Sequence, residues 1–214
     1  MKAVLFDLDG TLTDSAPQLA ASANHLRRLY GVPPLPLGAL REAAGKGARG
    51  LIGAALHIAP AAPSFEGLKK EFLADYEARL DEPALLFSGI EPLIDALEAR
   101  HLPWGIVTNK AEHLARLVVN SSPLLACAHC LVGGDTTPHM KPHPEPVLLG
   151  ARLLGCLPAD CLFVGDDARD IAAGRAAGTR TAALAWGYGA NSDTWGADFT
   201  VAEPRELVRI LGLM

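Results

Sequence analysis

The sequence predicts an α/β fold: a doubly wound parallel sheet with an inserted, all-helical cap domain. Three observations predict it. First, short apolar runs of strand length recur at Val4–Phe6, Trp104–Val107, Cys130–Val132, Cys161–Val164, Thr181–Trp186 and Asp198–Val201, and most alternate with helix-like stretches. Strand and helix in turn argue for parallel βαβ units. Second, this rhythm breaks between about residues 15 and 87, where helical spacing recurs and no strand is legible. Third, several of the apolar runs end in charged, amide or hydroxyl residues, and in a doubly wound sheet the ligand site lies outside the carboxyl ends of the strands.

The first run, Ala3-Val4-Leu5-Phe6, is short enough for a buried parallel strand, and Asp7 and Asp9 follow it at once. Positions i and i+2 of a strand share a face, so the two carboxylates would stand side by side where the strand ends. Gly10 permits the sharp exit that exposes them. Like charges this close need compensation, most simply a divalent cation. Taken alone, an Asp-x-Asp pair also suits a solvated turn.

The chain then enters the insert. A helix is expected from about Pro17 to Tyr30, closed by Gly31 with Pro33-Pro34 beyond it. Two shorter helices follow near Leu37–Ala44 and Ala48–Ile58. A fourth, from about Ser64 to Leu80, carries Phe65, Leu68, Phe72, Tyr76 and Leu80 at helical spacing. The expected division is a core of residues 1–14 and 88–214 and a cap of residues 15–87, hinged at Asp14-Ser15 and Ser88-Gly89.

Beyond the insert, helix-like stretches cover Ile90–Arg100, Ala111–Val119, Glu145–Leu154 and Asp170–Ala177. Thr108-Asn109-Lys110 follows the strand Trp104–Val107. Lys141 lies in the proline-rich run that opens the helix at Glu145. Asp166-Asp167, with Asp170 a turn later, follows Cys161–Gly165. Each element has a plain structural reading: Thr108 and Asn109 as a helix cap, Lys141 as a solvated lysine, Asp166 and Asp167 as a second cap. Together, at consecutive strand ends, they form the set that phosphoryl transfer needs. One carboxylate attacks phosphorus and a second acid serves the leaving group. Hydroxyl and amide groups hold phosphate oxygens, while a lysine and a magnesium ion offset the combined negative charge.

The bulk properties fit this reading. The chain has 214 residues, half of them hydrophobic and a fifth charged, with a formal net charge of -5. It has no Lys/Arg cluster, so nucleic acid and anionic membranes are not expected partners. The longest uncharged stretch, Leu117–Gly134, contains Asn120, Ser121, Ser122, Pro123 and His129 and is no membrane span. Four apolar residues before Asp7 are too few for a signal-peptide core, so the expected compartment is the cytoplasm. Disulfides are not expected there. Cys127 and Cys130 have CxxC spacing, but no second tight Cys/His pair completes a zinc site. Cys161 reads as a small core residue, His57, His101 and His113 as surface or packing histidines, and Trp186, Tyr188 and Trp195 as packing aromatics.

These motifs resemble those of the haloacid dehalogenase superfamily. Asp7-Leu8-Asp9-Gly10-Thr11 is similar to its first motif, Val107-Thr108-Asn109 to its second, Lys141 to its third, and Gly165-Asp166-Asp167-x-x-Asp170 to its fourth. The match spans essentially the whole chain, with the helical insert where that family puts its small cap. The resemblance implies that Asp7 is the nucleophile and that Asp9 is the acid, then the base. It implies Mg²⁺ held by Asp7, Asp166 and the Asp9 carbonyl, phosphate held by Thr108, Asn109 and Lys141, and outer-shell roles for Asp167 and Asp170. Where relatives often carry aspartate, this chain has His143.

Asp7–Ser15 resembles the phosphoglycolate phosphatase branch. Phe163–Asp170 and Trp195–Asp198 look closer to a relative that removes phosphate from N-acetylmuramic acid 6-phosphate. Either activity is open, as is a sugar phosphomutase with the same motifs, and the expected partner is a small phosphorylated metabolite. A monomer or homodimer is expected. Carbon–halogen cleavage would dispense with Asp9, and phosphonate cleavage would replace it. A receiver-type regulatory domain would place its phosphate-accepting Asp after a middle strand and would lack the insert. In the cap, Lys46 and Arg49 lie in the glycine-rich run 45–50 and suit an anionic substrate, as they would also suit a solvent-facing turn.

Overall fold

Each apolar run becomes a strand, with edges shifted by no more than two residues. The structure, a computed structural model, describes residues 1–213. Along the chain, β1 (Ala3–Phe6) is followed by α1 (Ala16–Leu29), α2 (Leu37–Ala44), α3 (Gly47–Leu56) and α4 (Phe65–Glu77). Then come α5 (Ile90–Ala99), β2 (Trp104–Val107), α6 (Glu112–Asn120), β3 (Leu131–Val132), α7 (Glu145–Leu153) and β4 (Cys161–Gly165). The chain continues through α8 (Ala168–Ala177), β5 (Arg180–Leu184), β6 (Phe199–Val201) and α9 (Pro204–Ile210).

The strands form one parallel sheet in the order β3-β2-β1-β4-β5-β6. β1 is central, with Phe6 paired to Ile106 on one side and Val164 on the other. The chain builds outward from β1 through β2 to β3, then crosses back to β4. The carboxyl ends of β1 and β4 therefore flank the switch point where the winding reverses and a crevice opens. β1, β2 and β4 are buried along their whole length, so they read as unbroken apolar runs rather than alternating ones.

On one face of the sheet, Leu5, Val107, Val132 and Phe163 pack with Val147 and Ala151 of α7 and with Ala173 and Ala177 of α8. On the other, Phe6 meets Trp104 edge-on at 6.1 Å. The Trp104 indole N–H donates to Glu98 at 2.6 Å, which satisfies the one polar atom of a fully buried ring. Burying each such large side chain contributes about 1.5–3 kcal/mol.

The chain divides into two compact units: Met1–Asp14 with the chain from Ala84 onward, and Ser15–Pro83. The return to the sheet unit thus comes at Ala84, ahead of the expected Ser88. Hydrogen bonding accounts for the difference. Asp14 N donates to Leu85 O at 2.7 Å and Phe87 N to Leu12 O at 3.1 Å, and Thr13 bridges to Leu86.

The second unit is built on α1, against which α2, α3 and α4 all pack. Phe65, Leu68, Phe72 and Tyr76 are buried, as their spacing predicts, and the Phe72 and Tyr76 rings stack at 6.5 Å. The buried Arg27 guanidinium donates to Pro33 O and Ala55 O, tying the turn after α1 to the last turn of α3. α3 stops at Leu56, short of the expected Ile58, because His57 adopts a left-handed conformation with φ 56°. Among the described residues, no helix is long and apolar enough to cross a membrane.

Candidate active site

β1 delivers Asp7 to the switch point. Asp7 N donates to Val164 O at 2.9 Å, extending the β1–β4 ladder by one residue. The chain then turns sharply, with Leu8 O accepting from Leu12 N and Thr13 N, both at 3.0 Å. Gly10 makes the turn at φ 89°, and a Cβ there would stand 2.2 Å from Asp166 Oδ2. Gly187, in the loop after β5, approaches from another side, where a Cβ would stand 2.2 Å from Asp166 Cβ. Two chain segments without side chains thus close around one carboxylate.

Asp7, Asp166 and Asp170 present carboxylate oxygens within 4.8 Å of one another. The buried Lys141 ammonium lies among them, 2.8 Å from Asp7 Oδ1 and 2.7 Å from Asp170 Oδ1, and donates to Val107 O at 2.7 Å. It stands off the hydrogen-bonding direction of Asp7 Oδ1, so that buried oxygen is charge-paired without accepting a hydrogen bond. Three acids share one cation, and two of them, Asp166 and Asp170, hold their protons more tightly than usual. Burial, then the Asp7 and Asp170 charges, pushes Asp166 up to about 8, against the N–H of Tyr188 at 2.8 Å and the Thr11 hydroxyl at 2.9 Å. Burial also raises Asp170 to about 7, although Lys141 opposes it. Burial would lower Lys141, but Asp170 and Asp7 outweigh it and hold the ammonium charged. A buried all-oxygen donor set with excess negative charge, one oxygen lacking a hydrogen bond and a glycine-lined wall fits a hard divalent cation.

The other expected residues fall around this centre. Asp9 has its carboxylate apart from the three acids, held by Lys110 Nζ at 2.9 and 3.1 Å. Thr108 is buried at the end of β2, and its Oγ1 accepts from Lys110 N at 3.3 Å. Asn109, expected to hold phosphate, acts as a strut: its amide donates to Lys141 O and its Oδ1 accepts from Lys141 N, each at 2.9 Å. Asp167, expected to support the ion from outside, starts α8 in a capping box. Its carboxylate accepts from Arg169 N at 2.8 Å, and Asp167 N donates to Asp170 Oδ2 at 3.1 Å. The Arg169 guanidinium grips it too, at 2.7 and 3.0 Å, and overcomes burial to hold it below the usual carboxylate range. Asp170, expected in the outer shell, has a carboxylate oxygen within 4.8 Å of those of Asp7 and Asp166.

Lys46 and Arg49 are exposed in the second unit, and Lys46 Nζ lies 4.0 Å from Glu42. All four cysteines are free thiols. Cys127 is exposed, whereas Cys130 is buried, with its thiol pushed up by burial to about 11.

Three contributors were not singled out by the sequence. Lys110 follows Asn109 in the sequence, but its partner, Asp9, lies 101 residues away. Thr11, inside the first motif, donates to Asp166. Tyr188 contributes a backbone N–H, which carries no side-chain signature.

Comparisons with known proteins show which family the chain resembles. A family model described as a haloacid dehalogenase-like hydrolase matches residues 1–178. The chain is 45% identical over 215 residues to a phosphoglycolate phosphatase from Xylella fastidiosa, covering 97% of this chain and 92% of that one. It is 40% identical over 214 residues to an N-acetylmuramic acid 6-phosphate phosphatase from Pseudomonas aeruginosa, covering 99% and 96%. The crystal structure of a predicted phosphoglycolate phosphatase from Haemophilus somnus superposes with a TM-score of 0.86 at 27% identity, covering 99% of this chain and 98% of that one. With its acid cluster at the switch point of a parallel sheet, the chain belongs to the haloacid dehalogenase-like hydrolases.

Proposed function

We propose that this hydrolase is a Mg²⁺-dependent phosphatase that cleaves a small phosphomonoester of the 2-phosphoglycolate type through an aspartyl-phosphate on Asp7. The observation that carries the proposal is the buried set of Asp7, Asp166 and Asp170 around Lys141, at the crevice where β1 and β4 end. An Asp7 oxygen attacks phosphorus, and the bond from phosphorus to the substrate oxygen breaks. Asp9 gives its proton to the departing alkoxide, then takes one from the water that cleaves the aspartyl-phosphate. Thr108 and Lys141 hold phosphate oxygens, and Asn109 keeps the Lys141 backbone in place. Asp7, Asp166 and the Asp9 carbonyl would hold Mg²⁺, with Asp170 beside them. When bound, Mg²⁺ supplies Lewis-acid stabilisation of the phosphoryl oxygens and balances the surplus carboxylate charge.

The Ser15–Pro83 unit acts as the substrate-selecting cap, with Lys46 and Arg49 as cations for a substrate carboxylate. That carboxylate is common to 2-phosphoglycolate and to the lactyl group of N-acetylmuramic acid 6-phosphate. A second reading, an N-acetylmuramic acid 6-phosphate phosphatase, is supported by the 40% identity over 99% of the chain to an enzyme of that name. Phosphate release from both compounds with Mg²⁺, beside an Asp7→Asn control, is the test. Preference for one compound selects between the two readings. Turnover equal in wild type and Asp7→Asn would overturn the mechanism, and isomerisation of a sugar phosphate without net phosphate release would make the protein a mutase.

A further inference from the structure

We infer that Lys110 is the positioning residue of Asp9, an inference that rests on the phosphatase reading above. Lys110 Nζ contacts both oxygens of the Asp9 carboxylate, at 2.9 and 3.1 Å, across 101 residues of sequence. The Lys110 side chain is 6% exposed and that of Asp9 20%, so this is not a lysine solvated at the surface. Two-point contact fixes the carboxylate plane, which a free aspartate on a turn would let rotate. Proton transfer requires the carboxyl oxygen within hydrogen-bond reach of the leaving oxygen, and misplacement by about 1 Å can cost a hundredfold in rate.

The lysine is itself anchored. Gly134 N donates to Lys110 O at 2.7 Å, and Lys110 N donates to Thr108 Oγ1 at 3.3 Å. Gly134 seats closely on the same turn, where a Cβ would stand 2.4 Å from Asn109 O. Because β1 and β2 are paired in register, the turn after β2 lies beside the turn after β1. Its consecutive residues then divide the work: Asn109 holds the Lys141 backbone and Lys110 holds Asp9. The pairing also matches the Asp9 charge locally, which sets Asp9 apart from the three acids gathered around Lys141.

The test compares leaving groups. An alkyl phosphate, 2-phosphoglycolate or N-acetylmuramic acid 6-phosphate (whichever is turned over faster), leaves as an alkoxide that needs a proton, whereas p-nitrophenyl phosphate leaves as a stable phenolate. The readout is kcat/KM, which reports steps up to the first irreversible one and so isolates the leaving-group step from hydrolysis of the intermediate. Lys110→Met should lower kcat/KM about a hundredfold for the alkyl phosphate and less than about fivefold for the aryl phosphate. Lys110→Arg should recover part of the loss, and Lys110→Met combined with Asp9→Asn should be no slower than Asp9→Asn alone.

Equal losses on both substrates, or losses that add in the double variant, would overturn the inference and make Lys110 a structural or phosphate-binding residue. Turnover of both substrates that survives Asp7→Asn would instead overturn the underlying mechanism, whatever Lys110 does.

Discussion

In the metal-free protein, raising the pH from about 5 to about 8 should weaken the sheet unit, because two buried acids hold protons there that the unfolded chain gives up. Asp166 titrates at about 8 and Asp170 at about 7 in the folded protein, against an ordinary value of 3.8. Both folded values lie above the unfolded one. Between about pH 4 and these values, unfolding releases protons and stability falls as pH rises, by up to about 1.4 kcal/mol per pH unit for each group. Above about pH 8 the slope vanishes. The two acids repel each other directly, so their titrations are coupled and the summed effect is on the order of a few kcal/mol.

Guanidinium midpoints measured in EDTA by tryptophan fluorescence provide the assay, since Trp104, Trp186 and Trp195 all lie in the sheet unit. Asp166→Asn should flatten the slope. Mg²⁺ should flatten or reverse it too, because the cation takes the deprotonated carboxylates, and calorimetry near pH 7 in two buffers of different ionisation heat should show release of about one proton per ion. Stability that stays level or rises between pH 5 and 8 in EDTA, or ion uptake without proton release, would refute this account of the site.

Asn109→Ala removes two hydrogen bonds that fix the Lys141 backbone, a loss of about 1–3 kcal/mol in positioning; inorganic phosphate should become a roughly tenfold weaker competitive inhibitor, and an unchanged Ki would count against the strut. Arg27→Met leaves the Pro33 and Ala55 carbonyls without their buried donor, at about 2–4 kcal/mol, so amide hydrogen exchange in α1–α3 should accelerate at least about thirtyfold while β1 and β4 keep their protection. Protection lost equally in the strands would refute that assignment.

Much of this architecture was legible because buried parallel strands are unbroken apolar runs and their ends are polar. Strand ends were less so. The run Thr181–Trp186 looks uniform, yet β5 stops at Leu184 and the Trp186 indole reaches Thr11 O at 3.2 Å, a contact that no local pattern encodes. The residue types of the site were equally visible, but their pairings were not. Asp166 and Asp167 are neighbours of the same chemistry, and only the direction in which β4 turns into α8 sends one to the acid cluster and the other to a helix cap. Lys110 and Asp9 meet because β1 and β2 pair in register, a long-range fact. The expected boundary follows the Ser88-Gly89 turn signal, whereas backbone pairing with residues 12–14, a long-range contact, returns Leu85-Leu86-Phe87 to the sheet unit.

That pairing has an evolutionary side. Where the chain departs at Asp14 and re-enters at Ala84, the two strands of backbone are already hydrogen-bonded to each other, from Leu12 with Phe87 to Asp14 with Leu85. The sheet unit is therefore stitched shut at the point of insertion, and a few residues could bridge the seam. Whatever sequence occupies the interval can be lengthened, shortened or exchanged without reopening the acid cluster. On the substrate-selecting role proposed for Ser15–Pro83, a single reactive framework can be handed new recognition parts, and changes of substrate among such enzymes should concentrate between these two positions.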